Sequence, residues 1–362
     1  MPETSPPKIQ SVEVRALRVP MSEPHRTASG TITESPLVLT DVVTDSGVTG
    51  HGLVFTYSTA ALLPTAELVQ NMASLIEGEA LAPLELEQQL ARRFRLLGTQ
   101  GLVGMALAAI DMACWDALAR CHQVPLLQLL GGTEKPLRAY GAVGYDGPDG
   151  SARTAEHWAR LGFIGIKAKI GYPTVYDDLA VVSAMRKAAG ERMAIMVDYN
   201  QSLAPAEAIE RLRILDEEGL LWVEEPTLAH DYAGHAQIAR AIRTPIQCGE
   251  NWWGTLDLQH AIDAGASDYI MLDVMKVGGV SGWLRAAAMT QARGLQVSSH
   301  LWPEISAQLL CCTPTAHWLE YADWWNAVVK QPLRLDNGMA MIDGALGSGL
   351  EWNEDAVAEY AI

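Results

Sequence analysis

The stretch GFIGIKAKIGYP, residues 162–173, sets Lys167 and Lys169 two positions apart in an otherwise apolar run. On a β-strand, residues i and i+2 share a face, so both ammonium groups point the same way. Burying two charges is costly unless they are paired or put to use. Surface lysines trailing into solvent would not need the flanking Ile166, Ala168 and Ile170. A second ammonium and a nearby dication each lower a lysine pKa, which makes Lys169 a candidate proton acceptor near neutral pH. Lys167 then depresses the Lys169 pKa and offers charge to a substrate carboxylate.

Further along the chain, short apolar runs keep ending in ionisable groups: Asp198, Glu224 with Glu225, Glu250, Asp273, His300 and Glu320. From Asp198 the steps between them are 26, 26, 23, 27 and 20 residues, about one strand–helix unit each. A single acid at a strand end is an ordinary helix cap or solvated turn. A set in register is better explained by convergence on one mouth. Three carboxylates on consecutive strands repel one another and demand a counter-charge. With no cysteine or histidine among them they favour Mg²⁺ over Zn²⁺. Strand alternation lets only one of Glu224 and Glu225 face inward, and Asn200 stands either behind the ligands or at the substrate. Asp273 ends the strand next to that of His300, so it can fix the imidazole tautomer and raise its basicity. Lys169 and His300 then flank one substrate carbon from opposite faces. Glu320, held protonated by burial, would hydrogen-bond an oxygen of the developing enolate.

These groups need a scaffold that brings strand ends together. Residues 8–20 alternate as a strand, two more strands follow around an Asp-Ser-Gly turn, and residues 59–130 read as helices. After LLGG at 129–132, runs such as IGIKAKI, MAIMVDYN, LLWVEEP and YIMLDVM alternate with amphipathic helices at 176–189, 204–217, 255–264 and 281–293. The expected class is α/β: a modified TIM barrel of the (β/α)7β type with an N-terminal α+β capping domain. The expected divisions are a capping domain over 1–132, a barrel carrying the site over 133–330, and a segment over 331–362 that returns to the cap.

Composition narrows the partners. The chain has 362 residues and a formal net charge of −17, which argues against nucleic acid and anionic membrane. No apolar run reads as long enough to span a bilayer, and the start shows no secretory signal, so a cytoplasmic location is expected. The five cysteines form no CxxC pair and are expected to be reduced.

The motifs KAKIGYP, IMVDYNQSL, WVEEPT, GENWWG, DVMKVGGVSGW, SSHLWPEISA and TPTAHWLE, with IDMACWDAL in the first third, resemble the mandelate racemase group of the enolase superfamily over nearly the whole chain. The resemblance implies Mg²⁺ held by Asp198, Glu224 and Glu250 and chelated by a small-molecule carboxylate substrate. It implies α-proton exchange by Lys169 on one face and by His300, paired with Asp273, on the other, through an enediolate. Lys167 and Glu320 would contact the substrate carboxylate. The capping domain would close the mouth with loops near 22–33 and 54–58, bringing His25, Arg26, Phe55 and Tyr57 to the substrate, and the protein would be a homo-oligomer, an octamer. Two departures stand out. Ala142 lies where the resemblance leads one to expect a serine on the carboxylate. The capping segment SEPHRTASGTIT is polar, so Arg26 is a candidate for a second carboxylate or for hydroxyls.

Three readings follow. One is racemisation of a mandelate-like, aromatic 2-hydroxy acid. Another is dehydration of an acid sugar, with His300 expelling a β-hydroxyl. The third is a non-catalytic metal-binding descendant, which would show decay of a ligand or base, whereas the set here is complete.

Overall fold

The computed structural model describes residues 6–27 and 30–362; residues 28 and 29 of the expected capping loop, and residues 1–5, lie outside the described residues. The chain opens with three antiparallel strands, β1 (Ile9–Thr27), β2 (Gly30–Thr44) and β3 (Thr49–Phe55). Four helices follow: α1 (Thr59–Ala73), α2 (Pro83–Arg93), α3 (Gly101–Cys121) and α4 (Leu126–Leu129). The segment expected to be a loop at 22–33 is instead the tip of a long hairpin. β1 and β2 stay paired out to His25↔Ile32 and Arg26↔Thr31, past an irregularity between Pro20 and His25. Pro20 cannot donate to the ladder, which is where the alternation in the sequence breaks off.

Helix α3 corrects another expectation, because by length and composition alone it is apolar enough to cross a membrane. It is a core helix: Met105 through Ala117 are all buried, packed on β3, β2 and α1. An apolar surface all round a helix marks full burial, here inside the cap.

The barrel strands follow in order: β4 (Leu137–Val143), β5 (Gly165–Lys169), β6 (Ala194–Asp198), β7 (Val223–Glu224), β8 (Ile246–Cys248), β9 (Tyr269–Asp273), β10 (Gln296–His300) and β11 (Leu319–Tyr321). Neighbours pair in parallel from β4 to β10, and β11 pairs with β4. Main-chain bonds from Val297 N to Thr315 O (2.8 Å) and Ser299 N to Trp318 O (3.0 Å) close the ring between β10 and β11. Helices α5 (Gly147–Arg160), α6 (Val175–Ala189), α7 (Pro205–Leu215), α8 (Tyr232–Ala241), α9 (Gly254–Ala264), α10 (Gly279–Ala292) and α11 (Pro303–Cys311) form the crossovers. Inside, Tyr140, Met196, Trp222, Met271 and Trp318 form an apolar plug. It fills the barrel beneath the charged strand ends, as side-chain layers do in closed parallel barrels.

The remaining chain forms a hairpin, β12 (Arg334–Asp336) and β13 (Met339–Met341), on the start of β4, then α12 (Glu354–Tyr360) beside β1. Buried Asp116 of α3 joins three regions: it accepts from His51 N (2.8 Å), Arg120 Nε (2.6 Å) and Ser348 Oγ (2.8 Å). One helix earlier in sequence than the barrel thus ties the cap to the C-terminal segment.

Asp111 makes the corresponding tie to the barrel. Its carboxyl accepts from Ser281 N (3.0 Å) and Ser281 Oγ at the start of α10. Gly279 has φ +72°, and a Cβ there would lie 2.2 Å from Asp111 Oδ2, so the close approach requires glycine. Burial pushes the Asp111 carboxyl up to about 7, the Ser281 bonds opposing it. A folded-state pKa above the unfolded value means stability that is full below about 4 and is lost as pH rises toward about 7. The stability difference between the wild type and Asp111→Asn, from chemical denaturation, is therefore expected to move against the wild type across that window and flatten above it. Parallel pH curves for the two proteins would contradict this.

Candidate functional site

Each site residue is placed by a strand terminus. β5 puts Lys167 and Lys169 on one face, both buried. Lys169 is in register with Asp198, and Asp198 with Glu224. Glu250 follows Gly249, whose φ is +138° and where a Cβ would sit 2.2 Å from Met271 O. Only glycine turns the chain so sharply against β9, and that turn delivers Glu250 to the mouth. Oxygens of Asp198, Glu224 and Glu250 all lie within 4.8 Å of one another, and all three residues are buried. Glu250 Oε2 is buried and has no hydrogen-bond partner among the described residues. An orphaned carboxylate oxygen beside two other carboxylates fits a hard divalent cation with oxygen ligands.

Cationic groups bracket this trio. Lys169 Nζ donates to Asp198 at one end, and His300 Nε2 lies 3.5 Å from Glu250 Oε2 at the other. Lys167 Nζ donates to Glu224, lies 2.9 Å from Glu320 Oε1, and stands over the Tyr140 ring. His300 Nδ1 meets Asp273 Oδ2 at 2.7 Å. Burial lowers the His300 pKa, but Glu250 and the Asp273 bond outweigh it and the net shift is upward.

The neighbouring charges of the protein itself act on both Lys169 and Glu320. Burial and, in smaller measure, Lys167 do press the Lys169 pKa down, yet Asp198 with Glu250 and Glu224 raises it above the usual lysine value. The lysine pair is outnumbered by carboxylates, and a dication held among them would act in the opposite direction. Burial pushes the Glu320 pKa up, but Lys167, His300 and Lys169 bring it below the usual carboxylate value. Its partners make it an ionised acceptor, and Leu301 N donates to it at 3.1 Å.

The cavity at the mouth is lined by Lys167, Lys169, His300, Glu320, His25, Ala142, Leu301, Ala322 and Trp324. Four expected substrate contacts stand outside this lining. Arg26 turns away: Nη1 donates to Asp146 Oδ1 (2.8 Å) and its carbonyl accepts from Tyr145 N (2.9 Å), so it latches the hairpin to the barrel instead of facing a second carboxylate. Asn200 donates through its main chain (2.7 Å) and Nδ2 (3.1 Å) to Asp198, which makes it a support for the ligand set. Phe55 is fully buried with its ring 5.5 Å from Trp324. Tyr57 donates to Asp273 Oδ2 at 3.3 Å. Glu225 is also turned aside, with both oxygens accepting from Asn251 Nδ2 (2.9 and 2.8 Å), and burial pushes it up to about 8.

His25 does reach the cavity, its ring tilted against Trp324 with centroids 4.9 Å apart. Burial and then Lys169 push its imidazole down to about 3, so it is neutral. Trp324 was missed in the sequence. It follows β11 in YADWWN with no periodic signal, and Ser35 of β2 fixes it by donating to its carbonyl at 2.8 Å. Sequence reading also passed over Lys276, which donates to Asn251 Oδ1 at 2.6 Å beside Glu250.

A parallel barrel with an acidic trio and opposed Lys and His groups at its C-terminal mouth, under an α+β cap, defines a class of enzymes that remove protons next to carboxylates. Residues 9–131 match the "Mandelate racemase / muconate lactonizing enzyme, N-terminal domain", and residues 150–356 match the "Enolase C-terminal domain-like" family. The chain belongs to the mandelate racemase group of the enolase superfamily. Among solved structures it is similar to an enolase from Bradyrhizobium complexed with magnesium and mandelic acid, with 44% identity, a TM-score of 0.96 and 99% of each chain covered. It is 32% identical to L-talarate/galactarate dehydratase of Salmonella typhimurium over 72% of this chain and 66% of that one. It is 30% identical to L-Ala-D/L-Glu epimerase of Bacillus subtilis over 80% of this chain and 79% of that one.

If the trio is one cation site, Glu250→Gln and Asp198→Asn should each weaken Mg²⁺ binding by more than about 10-fold in calorimetric titration. Affinity unchanged in both variants would show that the ion sits elsewhere.

Proposed function

We propose that the protein racemises a mandelate-like aromatic 2-hydroxy acid by exchanging its α-proton through an enediolate, with Mg²⁺ as cofactor. The observation that carries this reading is the pairing of two opposed proton-transfer groups with an apolar wall. Lys169 and His300 face the same cavity from β5 and β10, at the two ends of the acidic trio. Beyond the charged groups, the lining is Ala142, Leu301, Ala322, Trp324 and one neutral histidine. An aryl group suits such a wall. Among the described lining residues, the hydroxyls of an acid sugar would find His25 and the Trp324 indole N–H as uncharged polar groups, and buried hydroxyls without partners cost affinity. The Bradyrhizobium relative whose crystals hold mandelic acid supports the same choice.

Mg²⁺ held by Asp198, Glu224 and Glu250 would neutralise the substrate carboxylate, and with it the charge that builds up as the α-proton leaves. Lys167 places a buried ammonium beside Glu320 and Glu224, where a substrate carboxylate oxygen gains a second cationic neighbour. Lys169 takes or returns the proton on one face. His300 does so on the other at Nε2, because Nδ1 is engaged by Asp273. Ala142 leaves the carboxylate without a hydroxyl donor from β4, which places more of that work on Lys167. Asp198 keeps its orientation through Asn200, so the ligand set stays fixed while protons move.

The dehydratase relative makes the other reading concrete, and one experiment separates the two. In D₂O with Mg²⁺, proton NMR over aromatic 2-hydroxy acids and acid sugars is expected to show α-deuteration of both enantiomers of an aromatic acid, with loss of optical rotation. Lys169→Ala and His300→Asn should each keep exchange from one enantiomer only. A 2-keto-3-deoxy product from an acid sugar, with no racemisation of aromatic acids, would overturn the proposal.

A further inference from the structure

Tyr57 sits in the cap, two residues past β3, yet its hydroxyl reaches the barrel and donates to Asp273 Oδ2 at 3.3 Å. That same oxygen holds His300 Nδ1 at 2.7 Å. The other oxygen, Asp273 Oδ1, accepts from Lys276 N at 2.9 Å. The carboxylate is therefore gripped from three directions, and among the described residues Tyr57 is the one that bonds it from the capping domain. The tyrosine backbone has φ +57°, a left-handed conformation that a bulky residue adopts only at a cost. Strain of this kind persists where the surroundings over-determine it. Here the Phe55 ring lies 4.7 Å away and Lys276 Nζ stands 4.6 Å over the Tyr57 ring. Burial and then Asp273 raise the phenol pKa well above its usual value, so the hydroxyl remains a donor. Asp111 secures the same neighbourhood from another side, through Ser281 at the start of the helix that follows β9.

We infer that Tyr57 is a positioning residue that lets the cap fix the orientation of the His300–Asp273 pair, and so acts on only one of the two proton-transfer faces. Tyr57 is not part of the cavity lining; its ring packs on Phe55 and Lys276, and its hydroxyl acts through the Asp273 carboxylate. A second-layer partner of a base sets which tautomer and ring orientation the base presents. The inference rests on the two-base reading for its catalytic consequence, but its structural content does not.

The test is Tyr57→Phe, which removes the hydroxyl and keeps the ring against Phe55 and Lys276. Deuterium exchange is measured separately for the two enantiomers of the aromatic 2-hydroxy acid, with kcat and KM for each. The expected result is a loss of about 10-fold in kcat for the enantiomer whose proton faces His300. Exchange on the Lys169 face and both KM values should stay within about twofold, and Asp273→Asn should give a larger loss of the same one-sided kind. Equal losses on both faces, or no loss, would overturn the inference. A crystal structure of Tyr57→Phe decides it independently of the reaction: a second orientation of the His300 imidazole or the Asp273 carboxylate supports it, and an unchanged pair at full occupancy overturns it. If the wild type itself exchanges from one face or not at all, the racemase reading fails, and the crystal result alone decides the role of Tyr57.

Discussion

Carboxylates gathered at the mouth of a dry barrel are the constraint on which the rest of the structure turns. Asp198, Glu224, Glu225, Glu250 and Glu320 are all buried there, and Lys167 and Lys169 are the only lysines on the neighbouring strand that answer them. Burial alone would neutralise such a cluster, as it pushes up the pKa of Glu224 and Glu225. The neighbouring cations oppose that outcome most effectively at Glu250 and Glu320, whose pKa values they bring below the usual carboxylate range. The acids outnumber the lysines, so the site favours an added cation.

The scaffold explains why that balance survives in a folded chain. An apolar plug of Tyr140, Met196, Trp222, Met271 and Trp318 fixes the strand ends from below, and Trp222 Nε1 donates to Glu224 Oε2 at 3.1 Å. From above, the cap supplies the long hairpin and Tyr57, with the hairpin latched through Arg26 to Asp146 and through Ser22 to Asp323. Cap and barrel share no single interface type. Buried carboxyls at Asp111 and Asp116 hold main-chain and hydroxyl donors, while Trp324 and Phe55 pack as aromatics. The division is clear in the cavity: strand ends bring the ionisable groups, and cap residues with the chain after β11 shape the rest of the wall.

The convergence of the strand-end groups was legible because strand periodicity converts directly into geometry. Lys167 and Lys169 share a face since i and i+2 must, and equal strand–helix spacing brings Asp198, Glu224 and Glu250 together. The His300–Asp273 contact followed from their places on adjacent strands. What was not legible depended on partners far apart in sequence or on competing charges. Arg26 looked free for a ligand because nothing near it in sequence announces Asp146, 120 residues away. Glu320 looked protonated because burial is visible in an apolar run, whereas the proximity of Lys167 is not. The left-handed turn at Tyr57 carries no glycine or asparagine to signal it, and Trp324 lies in an irregular segment where periodicity offers no guidance.

The central claim is that strand-end carboxylates hold one divalent ion, with Lys169 and His300 on either side of the acid bound to it. Crystals grown with Mn²⁺ and an aromatic 2-hydroxy acid test it most directly, through an anomalous difference map. The expected result is one strong peak roughly 2.0–2.5 Å from an oxygen of each of Asp198, Glu224 and Glu250, with the acid's α-carbon between Lys169 Nζ and His300 Nε2. A peak away from those three residues, or both nitrogens on the same face of the α-carbon, would contradict the account.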